Sequence, residues 1–83
     1  MMHFFEEYIK TVPNSPGVYL FKDKQKNVIY VGKAKQLKER LRQYLHQTDN
    51  RDFVQNLHYV LDAVDILLTK SEKEALLLEN ELI

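Results

Sequence analysis

The only two glycines of this chain each stand beside a tyrosine, in Gly17-Val18-Tyr19 and in Tyr30-Val31-Gly32. Glycine removes the Cβ and lets a backbone or a ligand approach closely. Around these phenols the sequence supplies Arg40, Lys33, Tyr44 and one conspicuous carboxylate, Glu79. The set lacks the nucleophile of acyl transfer, with no cysteine and no serine beside a plausible histidine–acid pair. It suits hydrolysis of a phosphodiester instead. That reaction needs a positioned water, a proton acceptor, a cation for the developing charge and a metal ion. Magnesium commonly takes one or two carboxylates and completes its shell with water and phosphate oxygens. A phenol with pKa near ~10 accepts a proton only weakly unless a cation lowers that value. Lys33, next to Gly32, is placed in sequence to do so.

Each residue taken singly has a blander reading. At about 100° per residue, Ala75, Leu78 and Leu82 define an apolar stripe into which Glu79 falls. A bare carboxylate there is expensive, so a salt bridge competes with metal binding. Arg40 flanks its own stripe, where a stem can lie on apolar surface with its head in water. Tyr19 and Tyr30 could be core aromatics with hydroxyls at the sheet margin. Residues 33–42 hold Lys33, Lys35, Lys38, Arg40 and Arg42 against Glu39 alone. That run reads either as a solvated helix face or as a phosphate-binding edge.

These groups need elements to position them. Val18 to Phe21 and Val28 to Val31, around a charged loop, read as a β-hairpin. Pairing Phe21 with Val28 sets Tyr19 opposite Tyr30, both on one face. Phe4, Phe5, Tyr8 and Ile9 suit one face of a short helix, and Pro13 and Pro16 force an extended approach to the hairpin. From Lys33 to Leu45 the residues are strong helix formers, with Leu37, Leu41, Tyr44 and Leu45 as the apolar stripe. His46 to Arg51 reads as a polar loop, and Asp52 opens a further helix facing inward through Phe53, Val54, Leu57, Val60 and Leu61. Val64 to Thr69 is a third strand, and Ser71-Glu72-Lys73-Glu74 is a capping box opening a last helix through Leu82. The fold class expected is α+β: a small three-stranded, mainly antiparallel sheet flanked by helices.

Eighty-three residues make one small domain. A net charge of zero argues neither for nor against a polyanionic partner. The absence of cysteine removes disulfides, thiol catalysis and thiolate metal sites. No apolar run approaches the ~20 residues of a membrane span, and Met1 to Glu7 has no secretory-signal pattern, so a cytoplasmic protein without membrane contact is expected. His3, His46 and His58 form no ligand spacing and carry no assigned role. The last helix reaches Ile83 without a Gly or Pro stop, as in a fragment of a longer chain.

Pro16-Gly17-Val18-Tyr19, then Tyr30-Val31-Gly32-Lys33-Ala34-Lys35, Leu37, Arg40-Leu41, Tyr44, Glu74-Ala75 and Leu78-Glu79 resemble the GIY-YIG nuclease superfamily. Val18 and Val31 replace its isoleucines and keep β-branched strand character. The wider string is most similar to the N-terminal endonuclease domain of the UvrC family, which serves bacterial nucleotide excision repair. The resemblance implies residues 1–83 as one GIY-YIG domain from the N-terminal part of a longer protein. It implies a divalent-metal-dependent cut in damaged double-stranded DNA on the 3′ side of a lesion, with one Mg2+ or Mn2+ ion. By position it makes Glu79 the metal ligand and Arg40 the phosphate contact, with Tyr19, Tyr30, Lys33 and Tyr44 as the other catalytic side chains. Either Tyr19 or Tyr30 would be the proton acceptor. Lys33, Lys35, Lys38, Arg40 and Arg42 would contact nucleic acid. The other excision-repair subunits would dock through regions outside these residues, and a monomer is expected. The family's domain continues past the last helix into a segment with an active-site asparagine. A stand-alone structure-specific nuclease of the same superfamily, a non-catalytic nucleic-acid-binding module and a protein-interaction domain using Phe4, Phe5 and Tyr8 are the alternatives.

Overall fold

The computed structural model describes residues 2–46, 57 and 59–83. Six elements follow in order: α1 (Met2–Lys10), β1 (Gly17–Lys22), β2 (Val28–Ala34), α2 (Leu37–His46), β3 (Ala63–Leu68) and α3 (Glu72–Leu82). The sheet is ordered β2-β1-β3 and both pairings are antiparallel. β1 is therefore the central strand, and its β-branched and aromatic run is buried over Gly17, Val18, Tyr19 and Phe21.

The hairpin closes more tightly than the Phe21–Val28 pairing expected from sequence. Asp23 N–H donates to the Asn27 carbonyl (3.0 Å), leaving Lys24, Gln25 and Lys26 as a three-residue loop. The Asp23 side chain fixes it by accepting from the Gln25 and Asn27 amides at 2.9 and 3.0 Å, an Asx turn. Lys26 takes the left-handed backbone such loops require, at φ 67°. Lys22 pairs with Val28, and a bulge then leaves Ile29 over, so that Phe21 pairs with Tyr30 and Tyr19 with Gly32. The expected Tyr19–Tyr30 pairing is thus corrected by two residues, one from the loop and one from the bulge. Two is an even number, so both phenols still project from one face. A bulge re-aims side chains in this way.

Tyr19 and Phe21 point into the main core with Phe5, Ile9, Val12, Ala34, Leu37, Leu41, Tyr44, Leu57, Leu61 and Val64. α1 and α2 cover this face; Phe5 and Ile9 are buried whereas Phe4 remains 39% exposed. The expected apolar stripe of α2 is present, with Leu37, Leu41 and Tyr44 buried and Leu45 packed at the margin. Leu57, Tyr59 and Val60 are helical, and Leu61 N–H donates to the Leu57 carbonyl at 2.8 Å. Leu57 and Leu61 face the core, but Val60, expected inward, is 42% exposed. Phe53, Val54 and the loop after His46 lie outside the described residues.

Val18, on the opposite face of β1, is fully buried apart from that core, as is Ala75 of α3. α3 packs over β2 and β1 there. Its start follows the capping-box expectation: Ser71 Oγ accepts from the Glu74 amide at 3.1 Å. The reciprocal arm differs, since Glu74 Oε2 accepts from the Lys70 amide at 3.4 Å. The expected Ala75–Leu78–Leu82 stripe is only partly buried: Ala75 alone is fully covered, and Leu82 is 39% exposed.

Candidate active site

The phenols gather where β1, β2 and α2 meet. Tyr19 Oη and Tyr44 Oη share a 2.9 Å hydrogen bond in the core. Arg40 Nε donates to Tyr19 Oη at 3.3 Å, and its Nη1 donates to Gln43 Oε1 at 2.9 Å. The guanidinium carbon lies 5.2 Å from the centre of the Tyr44 ring, a cation–π distance. Arg40 and Tyr44 are one turn apart on α2, so one helix face delivers both. Tyr30 completes the group, its ring centre 6.2 Å from that of Tyr19 and 6.0 Å from that of Phe21.

α2 is held at its start by the extended segment before β1. Leu37 N–H donates to the Ser15 carbonyl (3.0 Å) and Glu39 N–H to Asn14 Oδ1 (3.2 Å). Two otherwise orphaned amides of the first turn are thereby satisfied from outside the helix. The helix begins at Leu37, later than the Lys33 start expected from its helix formers, because β2 runs to Ala34 in register with Gly17. The sheet ladder overrides local propensity there.

Gly32 has a specific purpose. A Cβ built on it would lie 2.3 Å from Tyr19 Cζ and 2.3 Å from Tyr19 Oη. The ring of Tyr19 lies across the bare backbone of β2, so the close approach is made by the protein's own phenol. At Gly17 a Cβ would meet Leu37 Cδ1 at 2.5 Å and the Leu67 carbonyl at 2.6 Å, again from its own chain. The expectation that these glycines open backbone to a ligand is corrected accordingly.

Burial raises the Tyr19 pKa above that of an ordinary phenol, while its bonds to Tyr44 and Arg40 pull the other way. Burial, then the bond to Tyr19, raises Tyr44 well above its ordinary range. The bond to Tyr19 strengthens the hold of Arg40 on its proton. Tyr19 is 1% exposed and Tyr30 37%, so only one of the two phenols at the sheet is open to solvent.

The remaining sequence candidates are distributed differently. Lys33 lies on β2 opposite Val18, on the face away from Tyr19, so the cation beside the buried phenol is Arg40 and not Lys33. Glu79 is half-buried one turn beyond Ala75, on the helix that covers that same second face. Among the described residues its carboxylate makes no side-chain hydrogen bond or salt bridge, and the expected competing ion pair is not seen. β2 is an edge strand, so α2 on one face and α3 on the other both border it. No group of three or more His, Cys, Asp or Glu that could hold a metal exists among the described residues. A metal here would have Glu79 as its protein ligand and oxygen ligands from water and substrate, a donor set that fits magnesium. Of the basic candidates, Lys35 is exposed, Lys38 half-buried, and Arg42 leans on Glu39 at 3.7 Å. Gln43 escaped the sequence reading, although its spacing of three from Arg40 on a helix was a usable signal.

A family model described as the UvrC-like GIY-YIG domain matches residues 15–83. UvrABC system protein C from Syntrophus aciditrophicus (strain SB) is 47% identical over 78 residues, covering 94% of this chain and 13% of that protein. Its counterpart from Geobacter sp. (strain M21) is 50% identical over 76 residues, covering 90% of this chain and 12% of the relative. The chain thus spans about an eighth of the length of these relatives. The crystal structure of the GIY-YIG N-terminal endonuclease domain of UvrC from Thermotoga maritima, bound to magnesium, matches with a TM-score of 0.86 and 37% identity. That match covers 100% of this chain and 90% of the other. With its three-stranded antiparallel sheet, its Gly-flanked phenols and these likenesses, the chain belongs to the UvrC-like GIY-YIG domain family.

Proposed function

We propose that this domain is a metal-dependent DNA endonuclease module of nucleotide excision repair, hydrolysing a phosphodiester on the 3′ side of a lesion. The observation that carries the reading is the Tyr19–Tyr44–Arg40 network, a buried polar cluster that fixes one guanidinium at the sheet margin beside exposed Tyr30. Buried networks of this kind rigidify what they hold. Substrate is damaged double-stranded DNA, and the other excision-repair subunits dock on parts of the protein outside these residues. The magnesium of the Thermotoga domain supports a divalent ion on Glu79, with manganese as a substitute. Once bound, that ion would supply Lewis-acid polarisation of a phosphate oxygen.

The protein's own side chains divide the remaining work. Arg40 neutralises charge that develops on the transferring phosphate. Removing such a contact commonly lowers kcat by about 10²- to 10³-fold. Tyr30, in its phenolate form after giving its own proton to solvent, accepts the proton of the attacking water, directly or through a second water. Tyr19, enclosed and with its pKa raised by burial, suits the role of anchor for Arg40 instead. Tyr44 orients Tyr19 from behind, and Lys33 contacts the DNA backbone from the second face of β2. A monomeric, cytoplasmic protein accords with this reading, and no helix among the described residues is long and apolar enough to cross a membrane.

The test is incision of a lesion-bearing duplex by the full-length protein with its partner subunits. Glu79→Gln is expected to abolish the 3′ cut and its dependence on magnesium while leaving the melting temperature near that of the parent. An intact 3′ cut in Glu79→Gln would overturn the assignment.

A further inference from the structure

Beside Arg40, between the end of β2 and the first turns of α2, lies an open depression of about 190 Å³ lined by Ala34, Lys35, Gln36, Glu39, Arg40 and Gln43. It is open to solvent and large enough to admit a phosphate group. Its lining sets the two cations Lys35 and Arg40 against the single carboxylate of Glu39, which also reaches Arg42 at 3.7 Å. Arg40 is presented there in a fixed attitude. Its Nε is tied to Tyr19 Oη and its Nη1 to Gln43 Oε1, while a guanidinium carries five N–H donors in all. Gln43 accepts through its carbonyl oxygen, which leaves its amide NH2 as a donor group at the rim. The amide of Gln36 is a second neutral donor. A cationic fork, one ammonium and two amides around a phosphate-sized hollow make a phosphate-recognition set.

We infer that this depression seats a second backbone phosphate of the DNA strand, next to the scissile one, and that Gln43 is the positioning residue that turns Arg40 toward both. The proposal rests on the nuclease reading for the neighbouring scissile phosphate and goes beyond it in assigning a separate subsite. It divides the basic residues by function: Lys35 and Arg40 face the strand, whereas Arg42 is engaged with Glu39. Gln43 and Lys35 are both exposed, so their replacement leaves the core untouched.

The test pairs protein variants with substrates in which single phosphates around the cut are replaced by neutral methylphosphonates. In the full-length protein with its partner subunits, one flanking substitution is expected to lower kcat/KM about tenfold, the size of one lost charged hydrogen bond. In Lys35→Ala and Gln43→Leu that penalty is expected to shrink toward none, because the contact is already absent. Gln43→Leu should in addition lower kcat, through Arg40, whereas Lys35→Ala should act mainly on KM. Lys73→Ala, an exposed lysine of α3 that does not line the depression, should leave the penalty unchanged. Undiminished penalties in both variants would overturn the subsite. Absence of any cutting by the parent protein would instead sink the nuclease reading, and the same cycle read as DNA affinity would then decide the subsite.

Discussion

The two faces of the sheet are built to different standards. The Tyr19 face carries a continuous aromatic core, with Phe21 packed against Phe5, Tyr19, Tyr30 and Tyr44 at ring-centre distances between 5.1 and 6.2 Å. The Val18 face is thin: α3 buries Ala75 and leaves Leu76 42% and Leu77 55% exposed. Arg40 and the phenols belong to the first face, and Lys33 and the proposed metal ligand to the second. Rigid packing therefore fixes the arginine and the phenols, while the carboxylate depends on a helix held by little apolar contact. The difference separates residues that position from a residue that needs only to reach.

The sharpest way to break this contrast is Phe21→Ala, at a fully buried site. It is expected to cost about 3–5 kcal/mol and to lower the denaturant midpoint steeply. A small loss would mean the first face is no better packed than the second. Gly32→Ala comes next: its Cβ would overlap the Tyr19 ring, for an expected loss of about 1–3 kcal/mol together with expulsion of the phenol. Tyrosine fluorescence and thermal melting would register both effects. On the second face, Ser71→Ala removes the cap of α3 for about 1 kcal/mol, read by helix content and melting. Smallest of all, Leu77→Ser should shift stability by no more than about 0.5 kcal/mol.

Alkaline titration sharpens the same comparison. Tyr19 and Tyr44 have folded-state pKa values raised above the ordinary phenol value of about 10, with burial as the leading cause. The unfolded chain ionises first as pH rises. The stability these neutral phenols carry is therefore complete below about pH 10 and declines above it, toward their folded values. Tyr44→Phe should flatten that decline, measured as urea midpoints on either side of pH 10. An unchanged slope would remove Tyr44 from the account.

Much of the first face was legible in the sequence. Leu37, Leu41 and Tyr44 recur at helical spacing, and the strand pattern around Tyr19 is strong. The pairing register was not, because a three-residue loop and the extra residue Ile29 each move it by one, and neither leaves a mark in hydrophobic alternation. The two shifts cancel in parity, which is why the same-face placement of Tyr19 and Tyr30 survived a wrong pairing. Lys, Ala and Gln favour a helix locally at Lys33, whereas strand pairing with β1 decides the matter. By spacing alone, apart from the family resemblance, Glu79 stands out as a charge within an apolar stripe. That stripe proved half exposed, so the oddity of the carboxylate was smaller than spacing implied.

The hollow at Gly32 joins two positions that are far apart along the chain. The Tyr19 ring occupies the volume where a side chain at position 32 would grow. Neither can be altered alone without conflict or vacancy, and a paired exchange such as Tyr19→Ala with Gly32→Ala removes the overlap but leaves most of the ring's volume empty. Suppressors of a Gly32 lesion at position 19 should therefore relieve the clash without restoring the Tyr19–Tyr44–Arg40 network.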